Sequence, residues 1–269
     1  SRGWLSSAPA GDGVGRGPWL RDGDVGTAAG VQRGSALDLP LHPGDPTTPF
    51  YASTESAARL PLDSLPTVQT IPVQPLSHAA AQPILEALDG VAPPPSWIGA
   101  LAVDYRVGPG PAQVHLKLRF DWSTRPIVNV IGLLLGEELP DEWVMAGGHR
   151  DAWTFGGRDP MSGAVSLLES ARIIGAQVRR GYRPRRTIAI ASWDAEEWGM
   201  IGSTEWGEEF AAELPGRVVT YLNRESYHSG PFGAGGSHAL QPLVNEIARR
   251  IEFPREGRSV YDSWREGVQ

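Results

Sequence analysis

Apolar positions are spaced differently in the two parts of the chain. Up to about residue 112 Gly and Pro are frequent and periodic segments are few. There, Ser77 is placed to cap a helix through Ala81, Ile84, Leu85 and Leu88 that ends at Gly90. Val114, Leu116, Leu118 and Phe120 alternate with His115, Lys117 and Arg119. That period of two predicts a half-buried strand with His115 facing solvent. After Arg125 the texture changes. Ile127 to Leu135, Trp143 to Ala146, Thr187 to Ala191 and Val218 to Leu222 are short apolar runs rich in β-branched residues, and the third reads as buried on both faces. Between and after them lie helical spacings: Gly163 to Arg180 with Leu167, Ala171, Ile174 and Val178, then Ser203 to Leu214. His238 to Ile251 follows, with Leu240, Val244, Ile247 and Ile251 on one face. Strands alternating with helices predict an α/β fold with a largely parallel sheet.

Composition narrows the function classes. Hydrophobic residues make up 41% and charged residues 20% of 269 positions, ordinary values for a globular protein. The formal charge of -7 argues against a general nucleic-acid partner. There is no cysteine, which removes disulfides and thiolate metal sites. No apolar run reaches the length of a membrane span. The opening Ser1-Arg2-Gly3-Trp4 has neither a Met nor a signal-peptide pattern, so the chain reads as the interior of a longer one. Gly11 to Gly17 superficially suggests a phosphate loop, but no strand pattern precedes it and no helix pattern follows. A flexible loop is the expectation.

The chemistry concentrates at strand ends, where open parallel sheets hold ligands. His149, the Glu196-Glu197 pair and Glu225 each fall just past a predicted strand. Zinc takes imidazole nitrogen and carboxylate oxygen, and two-metal hydrolases bridge ions about 3.5–4 Å apart with a carboxylate and a water. A Glu beside a ligand Glu is placed to be the general base. Asp151, two residues after His149, is expected to accept a hydrogen bond from the imidazole and fix its tautomer. Asp194 is expected to be a solvated loop residue.

The runs GHRDAWTFGGRDPMSGA, GYRPRRTIAIASWDAEEWGMIGSTEWGEE and GVQRGSALDLPLHPGDPTTPFY, with IPVQPLS, APPPSWIGAL, YRVGPGP and NVIGLLLG, resemble the glutamate carboxypeptidase II and transferrin receptor family of zinc peptidases. The resemblance runs from about Asp22 onward. It implies an α/β zinc-peptidase core with a largely parallel sheet and helices on both faces, over residues 125–269. Residues 1–124 would be part of a β-rich protease-associated (apical) domain. Carried over by position, His149 and Glu197 would hold one zinc, Asp159 would bridge two, and Glu196 would be the general base. The second zinc would fall to Glu225, in a run where the family has Asp and where Arg224 adds a charge. A last His ligand, expected in the family beyond position 269, has no counterpart here, and His228 and His238 lie in the wrong segments. The resemblance also implies a structural calcium held by Thr48, Tyr51, Glu205 and Glu208, an oxygen-only set suited to a hard cation.

The function implied is a two-zinc exopeptidase acting on a peptide substrate, impaired in this chain. The alternatives are a catalytically silent receptor or scaffold of the transferrin-receptor type and a non-functional reading-frame product. The segment Pro231 to Ser237 offers no Arg to hold an acidic substrate, so acidic-dipeptide selectivity is not supported. Family analogy adds a homodimer and an extracellular or membrane-anchored location.

Overall fold

The computed structural model describes residues 29–31, 34, 38, 41–99, 101–111, 113–225, 232–254 and 256–267. The loop reading for Gly11 to Gly17, and His228, lie outside the described residues. The chain forms two compact units, the first ending at Glu225 and the second running from Ser226.

In the first unit four strands make one sheet in the order β1-β3-β2-β4: β1 Val130–Leu134, β2 Leu139–His149, β3 Arg186–Trp193 and β4 Val218–Asn223. β2 lies parallel to both β3 and β4, while β1 runs antiparallel to β3 at one edge. The expected largely parallel α/β sheet is therefore present, with one reversed edge strand. Its core is the odd-numbered face: Met145, Ala189, Ala191 and Trp193 are buried, with Ile131, Trp143, Trp206 and Val218 packed against them. Burying one such large side chain contributes about 1.5–3 kcal/mol. β3 alternates buried and half-buried positions, so it is covered more completely on one face than on the other, where two-sided burial was expected.

β2 extends past the expected Ala146 through Gly147 and Gly148 to His149. Glycines are poor strand formers in isolation. Here they are needed, because a Cβ on Gly147 would sit 2.6 Å from the Tyr221 hydroxyl and 2.7 Å from Trp193 Nε1. Those two groups are themselves hydrogen-bonded at 2.8 Å.

Helices α1 His78–Glu86, α2 Met161–Arg179, α3 Ile201–Glu209 and α4 Leu214–Arg217 complete this unit. α1 starts as its sequence predicts, with the Ser77 hydroxyl accepting from Ala80 N at 3.1 Å. α3 is shorter than the expected Ser203 to Leu214 and is followed by a turn and the single turn of α4. Val114 to Phe120 is not a strand: Val114 and Phe120 are exposed and no ladder partner meets them. Alternation supplies an apolar face, but a strand also needs a neighbour for its N–H and C=O groups. Among the described residues before Val130 there is no strand, only α1, two short 3-10 turns and isolated bridge residues (Val68 and the Val91–Val107 pair), where the resemblance implied β-rich structure.

The second unit holds a 3-10 turn, His238–Leu240, α5 Gln241–Arg250 and α6 Val260–Gly267. Phe232 meets Trp264 edge-on, and the Arg249 guanidinium lies 4.1 Å from the centre of the Tyr261 ring. The expected helix is present but its predicted apolar face is not buried, since Ile247 and Ile251 are exposed.

Candidate metal centre

The carboxyl ends of β2 and β3 carry the site. His149 is the last residue of β2, paired with Trp193 at the end of β3, and is 3% exposed. Its Nδ1 lies 3.0 Å from the backbone oxygen of Asp151. A carbonyl only accepts, so Nδ1 carries the proton and Nε2 presents a lone pair. That Nε2 faces the Asp159 Oδ1 at 3.1 Å. Two acceptors this close require a proton or a cation between them. Two atoms bound to one zinc at about 2.0–2.1 Å and a tetrahedral angle stand about 3.4 Å apart. The donor set thus fits a metal.

The two glutamates arrive through a tight turn. Ala195 (φ 55°), Gly199 (φ 120°) and Met200 (φ 56°) take left-handed conformations. Gly199 N and Met200 N both donate to Glu196 O, at 2.9 and 2.7 Å, before α3 begins. His149, Glu196 and Glu197 each offer a ligand atom, all within 4.8 Å of one another. Glu196 Oε2 is 3.9 Å from His149 Nδ1. Burial pushes the Glu196 carboxyl up, opposed by His149 and reinforced by the charges of Glu225, Glu197 and Asp151. Glu197 is raised by burial and by Asp159, and lowered by His149 and by a hydrogen bond from the Trp153 indole.

Glu225 stands apart from this group. It follows β4, is exposed, and is not among the residues converging within 4.8 Å, although its charge acts on Glu196; Asp159, also exposed, meets His149 but is outside that group as well. The Glu225 backbone is held close by two glycines. Arg224 N donates to Gly147 O at 2.7 Å. A Cβ on Gly148 would lie 2.0 Å from Arg224 O, and one on Gly163, in the first turn of α2, 1.5 Å from Glu225 O.

Residues 129–242, which contain all five of these side chains, match the profile of Peptidase family M28. Residues 129–242 are thus an M28 segment. The chain is 39% identical over 280 residues to "Probable glutamate carboxypeptidase VP8" of Zea mays, covering 98% of this chain and 39% of that protein. It is 37% identical over 249 residues to "Aminopeptidase NAALADL1" of Rattus norvegicus, covering 88% of this chain and 33% of that protein. The match to "Probable glutamate carboxypeptidase LAMP1" of Arabidopsis thaliana is 41% over 226 residues, 82% of this chain and 32% of that one. The chain therefore spans about two-fifths or less of the length of these relatives.

Within the M28 segment, three supporting groups differ from expectation or escaped it. Asp151 meets the imidazole mainly through its backbone oxygen. Its carboxylate instead accepts from Glu196 N at 2.9 Å and Glu197 N at 3.1 Å, clamping the glutamate turn to the His149 loop. Asp194 is not a solvated loop residue. It is half-buried and accepts from Val128 N at 2.9 Å and Ala195 N at 3.0 Å, with Arg150 Nη2 at 3.2 Å. Arg150 also donates to the backbone oxygens of Ser192 and Val128, so the pair ties the entry of β1 to the exits of β2 and β3. Trp153 joins Glu197 to a tilted ring contact with Trp198, centroids 4.8 Å apart. No spacing rule finds these, because most of the partners lie more than 40 residues apart.

The four positions expected to hold calcium lie where the turn 45–53 meets α3. Glu205 accepts from Asp45 N and Ser53 N, both at 2.6 Å, and Glu208 accepts from Phe50 N–H. Burial raises both carboxyls, and Glu208 is raised further by Glu205. Thr48 is fully buried and its Oγ1 has no partner within the protein, while Tyr51 hydrogen-bonds Ala58 O through its hydroxyl.

Proposed function

We propose that this M28 segment is the metal-binding part of a zinc exopeptidase that hydrolyses a terminal peptide bond. The observation that carries the reading is the approach of His149 Nε2 to the Asp159 carboxylate at 3.1 Å, a contact that a shared cation would bridge. In this reading His149, Asp159 and Glu197 hold one zinc, and Asp159 with Glu225 hold a second, weaker one. Bound zinc supplies Lewis acidity to a carbonyl and makes water a better nucleophile. Glu196 takes the proton of the attacking water and returns it to the departing amine. Its half-buried, raised carboxyl suits a base working near neutral pH. Asp151 holds the base and the ligand glutamate in register through their backbone N–H groups. The relatives named as glutamate carboxypeptidases and an aminopeptidase support peptide hydrolysis and leave open which end is cut.

That neither Asp159 nor Glu225 is among the three residues converging within 4.8 Å favours a second reading, a receptor-type homologue that binds zinc without turnover. The two are separated by extending the chain with the remaining part of the maize relative, loading zinc and following short peptides by mass spectrometry. The exopeptidase reading predicts loss of single terminal residues. Cuts inside the peptides, or full zinc occupancy with intact peptides, would contradict it.

We also propose that Glu205 and Glu208, with backbone oxygens of Thr48 and Tyr51, hold calcium. Two half-buried carboxylates one helical turn apart support it. Calcium at a hundredfold excess over its Kd stabilises by about 2.7 kcal/mol, so millimolar calcium should raise the melting temperature by several degrees, and Glu208→Gln should cancel the rise. An unchanged melting temperature on adding calcium would remove the site.

A further inference from the structure

The Glu196-Glu197 turn is held from two sides. Asp151 takes the N–H groups of both glutamates. The other hold comes from outside the 129–242 segment: Gly44 N donates to Gly199 O at 2.8 Å, and both glycines are buried. Gly199 and its neighbour Met200 are the residues whose N–H groups close the turn on Glu196 O. Gly44 is itself seated by α3. Glu205 accepts from Asp45 N through Oε1 and from Ser53 N through Oε2, both at 2.6 Å. A Cβ on Gly44 (φ 90°) would lie 2.7 Å from that Oε1 and 2.8 Å from Thr204 Cγ2. The Asp45 carboxylate fixes the segment internally, accepting from Thr47 N at 2.8 Å, Ser53 Oγ at 2.7 Å and Arg59 Nη1 at 2.6 Å. Contacts therefore run without a gap from Glu205 through Asp45 and Gly44 to Gly199 and Glu196. The turn needs such a hold. Ala195 and Met200, at its two ends, are non-glycine residues in left-handed conformations, which persist only where the surroundings enforce them. Opening the Gly44–Gly199 bond would leave a buried N–H and a buried carbonyl unpaired, so the bond resists opening.

We propose that Gly44 and Glu205 are positioning residues of the metal centre. Glu205 seats the 44–53 segment on α3, and the Gly44 N–H then fixes the Gly199 carbonyl and, through the turn, the placement of the Glu196 and Glu197 carboxylates. The inference rests on the metal-centre reading and adds to it a part of the chain that lies outside the M28 segment. Neither residue touches metal or substrate in this arrangement. Loosening the segment frees the far end of the turn, and the carboxylates lose the geometry that Asp151 alone holds from the near end.

The test compares the 269-residue chain, without calcium, with Glu205→Gln, Gly44→Ala and Ser77→Ala. The last removes the α1 cap and controls for a general loss of stability. Gln keeps the volume of Glu205 but sets an N–H donor against one of the two backbone N–H groups. Gly44→Ala keeps every carboxylate and displaces the segment by steric contact. In the zinc-free chain, amide hydrogen exchange at Gly199 and Met200, read by NMR, is expected to rise about tenfold or more in Glu205→Gln and Gly44→Ala and to stay within about twofold in Ser77→Ala. Zinc affinity, from competition with a chromophoric chelator, is expected to fall about tenfold or more in the same two variants. Cobalt(II) bound in place of zinc should show altered visible bands there, a signature of ligand geometry that lower stability alone would not change. Unchanged exchange and zinc affinity in folded Glu205→Gln or Gly44→Ala would overturn the proposal, as would equal changes in Ser77→Ala. A parent chain that binds no zinc would instead remove the metal reading, and exchange at Gly199 and Met200 would still decide whether the segment holds the turn.

Discussion

Gly163→Ala is expected to lower stability by about 3 kcal/mol or more, at the top of the range for an overpacked site. The added Cβ would sit 1.5 Å from Glu225 O and 2.9 Å from Arg224 O, and both obstacles are backbone. No rotamer change relieves such a clash, so either the first turn of α2 or the end of β4 must move. Moving the end of β4 carries Glu225 away from the metal centre. Denaturant unfolding followed by tryptophan fluorescence reads the stability, and a midpoint within error of the parent would show that the close approach is not required.

Glu196→Gln is expected to remove about 10²–10⁴-fold of kcat, the usual contribution of a general base, in the chain extended with the remainder of the maize relative. Zinc content should stay unchanged. Gln keeps the volume and the backbone N–H bond to Asp151, and it removes only the proton acceptor. Glu196 lies within 4.8 Å of ligand atoms of His149 and Glu197, close enough to compete as a ligand. Measuring metal alongside rate therefore separates the roles: loss of one zinc equivalent would make Glu196 a ligand and leave the base unassigned.

Much of the fold could be read from periodicity because the core strands are apolar and β-branched. Thr187 to Ala191 and Val218 to Leu222 lie inside β3 and β4. The limits of that reading are physical. β2 is longer than expected because Gly147 and Gly148 give no hydrophobic signal, and their role is to leave room for Tyr221, Trp193 and Arg224. Val114 to Phe120 gave the alternating signal without a partner strand. At the site, residues that touch across strand ends could be named from their positions, as His149 and the two glutamates show. The groups that hold them could not. Asp151 and Asp194 act on backbone N–H groups far away in sequence, and one carboxylate looks like any other until the turn it caps is known. Glu225 shows the converse: its register after β4 was legible, and its distance from the other carboxylates was not.

The central claim is that His149, Asp159 and Glu197 form one metal site on this chain. Isothermal titration of the 269-residue protein with zinc, beside His149→Ala and Glu225→Ala, tests it most directly. The account predicts one tight equivalent, lost in His149→Ala and kept in Glu225→Ala, with a second equivalent weak or undetected and peptide turnover negligible. Unchanged tight binding in His149→Ala would contradict it, as would two tight equivalents with rapid turnover in the unmodified chain.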